Sequence, residues 1–139
     1  MKEIVRTLDD AAQAGFGHED KDCTVSAMQY AFNLSYKQAH QLLKMWGRED
    51  KQTFHITSRL ADLSDYEISI QGKYVLDGIK ADKGYRVKQF LEEHPQGTYI
   101  IHVRGHVFCL KDSIMYDSYC GVPYYNNHVV LYYYEIGAK

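Results

Sequence analysis

The sequence predicts a single α+β domain in which N-terminal helices pack on a C-terminal antiparallel sheet. Three observations carry that expectation. Helix-spaced apolar residues run from Val25 to Trp46, branched and aromatic strand formers fill residues 98–136, and no linker or repeat divides the 139 residues. With 45% hydrophobic residues, a chain of this length builds one core without disulfide or metal staples.

Each element has its own local reason. Leu8–Ala14 reads as a short helix closed by Gly15, and Gly17-His18-Glu19-Asp20-Lys21 as a polar loop. Asp22 is a plausible cap for a helix whose apolar positions are Val25, Met28, Ala31 and Phe32, with Asn33 marking its end. Ser35 and Gln38 make a capping-box pattern, followed by one stripe of Ala39, Leu42, Leu43 and Trp46 ending at Gly47. Residues 48–83 read as irregular strands and loops, with short apolar runs at 66–70 and 73–76. Val87, Phe90 and Leu91 predict a third helix, which His94-Pro95-Gln96-Gly97 stops in a turn. Strands are then expected over 98–104, 107–110, 114–116 and 129–136.

Composition excludes several function classes. A formal net charge of -2, from 16 basic and 18 acidic residues, gives no bulk attraction to nucleic acid or an anionic membrane. Residues 1–20 lack a signal-peptide pattern and no run approaches the roughly 20 apolar residues of a membrane span, so a cytoplasmic protein with no membrane partner is expected. Three cysteines without short paired spacing do not form a disulfide framework. Tyr116, Tyr119, Tyr124, Tyr125, Tyr132, Tyr133 and Tyr134 crowd the C-terminal segment, where Lys139 supplies no basic groove; ring packing across a sheet is the favoured reading over base stacking.

The candidate chemistry centres on Cys23. At a helix start, unsatisfied N–H groups and the helix dipole favour thiolate over thiol. His106 follows Gly105 at a strand start and is the candidate base. If residues 107–110 and 114–116 pair as a hairpin, Asp117 comes to the same end as His106 and can orient its ring, whereas Asp112 is a weaker choice in the turn. The bland alternative is that Cys23 is a small buried hydrophobe, as free cysteines often are; the matched His and Asp order argues against it. His102, His106 and Cys109 invite a metal reading, but residues four apart on a strand lie about 13 Å apart and the third falls on the opposite face. No metal and no cofactor are expected. Cys120, before Gly121, is a loop thiol without an assigned role.

The order of Cys at a helix start, His on a strand and Asp on the next strand resembles that of papain-like cysteine peptidases. Asp22-Cys23-Thr24-Val25, Leu34-Ser35-Tyr36 with Ala39-His40, Gly47-Arg48, Phe90-Leu91 with His94-Pro95-Gln96-Gly97, and Gly105-His106-Val107 through Tyr116-Asp117 resemble a poorly characterised papain-like family of phages and bacteria. The resemblance implies a papain-like domain over residues 1–139, with Cys23 as nucleophile, His106 as general base and Asp117 as orienting acid. The chain departs from the papain pattern before the cysteine, where the usual oxyanion-donating Gln is missing; His18 or Lys21 could stand in beside the Cys23 N–H, and Gln13 is the only upstream Gln. The implied function is a cysteine-dependent acyl hydrolase, a peptidase or isopeptidase acting on a protein or peptide. The alternative is a phage accessory protein that keeps the scaffold and binds a host protein without catalysis.

Overall fold

The computed structural model describes residues 3–6, 23–45, 69–70, 73–104, 106–117 and 128–138. Seven strands and three helices follow in the order β1 (Glu3–Arg6), α1 (Cys23–Phe32), α2 (Tyr36–Met45), β2 (Ser69–Ile70), β3 (Lys73–Lys80), α3 (Val87–Glu93), β4 (Thr98–Val103), β5 (His106–Lys111), β6 (Ile114–Asp117) and β7 (Val130–Ala138). The strands form one sheet ordered β1-β6-β5-β4-β7-β3-β2. The α+β class expected from sequence is present, with two corrections. β1 precedes the helices and pairs with β6 in parallel, so the sheet is mixed at that edge. β3 runs to Lys80, past the apolar run at 73–76, and its pairing with β7 shifts register between Val75 and Gly78. The expected 8–14 helix, Trp46 and the Tyr119, Tyr124 and Tyr125 rings lie outside the described residues.

The helices form where the local signals place them. α1 buries Thr24, Val25, Ser26, Ala27, Met28, Ala31 and Phe32. It ends at Asn33, whose φ of 56° suits a short polar side chain and lets the Leu34 N–H donate to the Gln29 carbonyl at 2.8 Å. The Ser35 capping box is complete: the Gln38 N–H donates to Ser35 Oγ at 3.1 Å and the Ser35 N–H to Gln38 Oε1 at 2.9 Å. α3 starts with the Arg86 N–H donating to Gln89 Oε1 at 2.9 Å.

The sheet separates two cores. α1 and α2 cover one face, where Val25, Met28, Phe32 and Leu43 meet Ile100, Val107, Cys109, Tyr134 and Ile136. α3 covers the other, where Val87, Phe90 and Leu91 meet Tyr99, Ile101, Val103, Phe108, Leu110 and Met115. Alternation along each strand divides these sets, as a period of two requires.

β5 and β6 form the anticipated hairpin, pairing Lys111 with Ile114, Leu110 with Met115 and Cys109 with Tyr116. Its two turn residues, Asp112 and Ser113, have φ of 51° and 68°, the left-handed pair that two-residue hairpins favour. Neither is glycine, and both are tied down. Asp112 Oδ1 accepts from the Gly97 N–H at 2.8 Å, the Asp112 N–H donates to the Gly97 carbonyl at 2.9 Å, and Ser113 Oγ donates to the Pro95 carbonyl at 2.9 Å.

Candidate functional site

Two contacts fix how α1 lies on the sheet. Just past its C-terminus, Asn33 Oδ1 accepts from Lys111 Nζ at 2.7 Å. One turn earlier, Tyr30 stacks on Tyr116 with ring centroids 4.5 Å apart, and Tyr116 pairs with Cys109. Moving back along α1 therefore moves back along β5. Seven residues of helix from Tyr30 to Cys23 span about 10 Å. Three residues of strand from Cys109 to His106 span about 10 Å as well. Cys23 thus comes level with the start of β5, at the end of the sheet that also holds the last residues of β4 and the first of β7.

The same register decides faces. Val107 and Cys109 point to α1, while Phe108 and Leu110 point to α3. His106 follows Phe108 by alternation, with the two rings 6.2 Å apart, and is half-buried. Cys23 and His106 are brought to one end of the domain, with His106 set by parity on the far side of β5. Asp117 closes β6, one residue past the partner of Cys109, and its backbone pairs with Arg6 of β1. The hairpin thus carries its backbone toward the end of β5 at which His106 stands.

Cys23 is a half-buried free thiol that packs at the margin of the α1 core. Residues seven apart on a helix share a face, so Cys23 and Tyr30 lie on one stripe, and the Tyr30–Tyr116 stack turns that stripe toward β6. Thr24, next in sequence, is 2% exposed, and neither its Oγ1 nor Gln29 Oε1 has a hydrogen-bond partner among the described residues. These two orphaned oxygens on α1 are polar groups that the sequence reading did not single out. The upstream donor candidates His18, Lys21 and Gln13 fall outside the described residues, as do Glu19, Asp20, Asp22 and Cys120.

Other sequence candidates find structural places. Asp112 sits at the end of β5 opposite His106 and caps the Gly97 N–H, which removes it as an orienting acid. His102 lies on the α1 side, its ring 6.0 Å from Tyr132 and nearly parallel to it. Cys109 is buried on that same side with His106 opposite, and His102 and His106 stand on the paired strands β4 and β5, His102 opposite Val107, rather than four apart along one strand as expected; no group of metal-ligating side chains occurs among the described residues. His128 is half-buried and its carbonyl accepts from the Val87 N–H at 2.9 Å, tying the start of β7 to α3. Among the described residues, no helix is long and apolar enough to cross a membrane.

The marked electrostatic perturbations belong to the α3 side. Burial, then the hydrogen bond from its hydroxyl to Glu93, pushes the Tyr85 phenol well above its ordinary range. Burial first, and then nearby carboxylates, also raise Tyr133 and Tyr99. Comparison with protein-family models, curated proteins and solved structures gives no match for this chain.

Proposed function

We propose that this protein is a cysteine-dependent acyl hydrolase of papain-like layout, acting on a peptide or isopeptide bond through Cys23, His106 and Asp117. The observation that carries the reading is the axial alignment of α1 with β5, which supports a nucleophile at the helix start level with a histidine at the strand start. In the proposed reaction, Cys23 Sγ forms a bond to the carbonyl carbon as its proton passes to His106. His106 returns that proton to the leaving amine as the C–N bond breaks, leaving a thioester. Water then adds to the thioester with His106 as base, and the acid and the free thiol are released. Asp117 holds the imidazole in the required tautomer.

A second reading draws on the face alternation at His106: a papain-like scaffold that binds a host protein without turnover. One experiment separates them. Iodoacetamide alkylation of each cysteine is followed against pH by peptide mass mapping, in the parent and in His106→Ala. The hydrolase reading expects fast Cys23 labelling below the ordinary thiol pKa of about 8.5, lost in the variant. Slow labelling of Cys23, unchanged by His106→Ala, overturns it in favour of the binding module.

A further inference from the structure

The Cys23 stripe of α1 continues to an aromatic and cationic patch that the proposed reaction leaves unused. Tyr30 lies two turns along from Cys23, on the same side of the helix, and stacks on Tyr116 with an interplanar angle of 17°. Lys111 Nζ stands 6.0 Å from the Tyr116 ring centroid and is held there by Asn33 Oδ1 at 2.7 Å. Cys23, Tyr30, Tyr116 and Lys111 are all half-buried, each keeping part of its surface toward solvent. An ammonium has three donors, and among the described residues Asn33 takes one.

From this juxtaposition we infer that the Tyr30–Tyr116–Lys111 patch is a substrate subsite selecting an acidic side chain about four to five residues from the scissile bond. This rests on the hydrolase reading and deepens it. Asn33, which holds Lys111, stands ten positions along from Cys23 or about 15 Å at the helical rise, and an extended peptide advances about 3.3 Å per residue, so the charge falls about four to five residues from the scissile bond. The chemistry follows from the residues. Stacked phenol rings offer an apolar surface to methylene groups, while Lys111 supplies the positive charge a carboxylate seeks. A basic side chain at that position meets like charge and is disfavoured.

The test is an internally quenched peptide library in which a single glutamate is moved from about five residues before to about five residues after the cleaved bond. It is read as kcat/KM for the parent, Lys111→Ala, Lys111→Arg and Cys23→Ala. The expected result is a preference of about fivefold for glutamate at about the fourth or fifth position on one side, the scale of a partly exposed ion pair. That preference, taken within each variant as the ratio of kcat/KM for the glutamate-containing to the glutamate-free peptide, is lost in Lys111→Ala and kept in Lys111→Arg. Cleavage that needs Cys23 but shows no acidic preference, or a preference indifferent to Lys111→Ala, overturns the subsite and leaves the hydrolase standing. No cleavage of any peptide by the parent, with slow Cys23 alkylation, overturns both.

Discussion

The two faces of the sheet are built to different standards. On the α3 side the rings close on one another: Phe90 lies against His94 at 4.4 Å, and Tyr99 and Tyr133 each meet Phe90 edge-on at 5.0 Å. His94 also ends the helix, its N–H donating to the Phe90 carbonyl at 2.8 Å. On the α1 side the interior is equally buried, but its margin carries a half-exposed thiol, a half-exposed tyrosine stack and two orphaned polar oxygens. Buried groups without partners cost stability, and that cost is absent among the described residues of the α3 side. The contrast separates a face whose rings close on one another from a face that leaves half-buried and polar groups at its edge.

Substitutions sharpen this division. Phe90→Ala removes the ring at the centre of the closed cluster and is expected to destabilise by about 3–5 kcal/mol in denaturant unfolding, leaving the alkylation rate of Cys23 in the folded protein unchanged. A large change in Cys23 reactivity in that variant would erase the distinction between the faces. The next effect comes from pH. Tyr85, Tyr99 and Tyr133 have raised pKa values in the folded state, so the unfolded chain loses their protons first as pH rises. Their contribution is therefore whole below the unfolded pKa of about 10 and is lost progressively above it. Alkaline unfolding curves should show that loss, and Tyr133→Phe should make it shallower.

The smallest expected effect belongs to Thr24. If its buried hydroxyl only burdens the fold, Thr24→Val is neutral or stabilising by up to about 1 kcal/mol, because an unpaired oxygen is exchanged for a methyl group of similar shape. A destabilised Thr24→Val with slower Cys23 alkylation would instead give that hydroxyl a place in the site.

Much of the local structure was legible. The 25-28-31-32 spacing marks α1, Ser35 with Gln38 marks the start of α2, and Pro95 with Gly97 marks the turn into β4. Tyr116, Tyr132, Tyr133 and Tyr134 pack on the two faces of the sheet, as their β propensity suggested. β1 was not legible, because four residues carry too little periodicity to announce a strand and its partner lies more than 100 residues away. The Asp112-Ser113 turn was placed correctly, but its left-handed backbone was not, since the expected glycine is missing and bonds to Pro95 and Gly97 hold it instead. Gly78 stands where β3 shifts register, and the run at 73–76 alone showed only half of that strand.

By itself, the sequence determined the identity of α1, α2 and α3, the β5–β6 hairpin and the candidacy of Cys23, because periodicity, caps and turns act over a few residues. Tertiary structure decided the rest: the insertion of β7 between β4 and β3, the parallel docking of β1 on β6, the alignment of α1 along β5, and the face on which His106 stands. Those outcomes depend on which apolar surfaces bury one another and on strand register. A one-residue step in register reverses every side chain, and no local pattern encodes it.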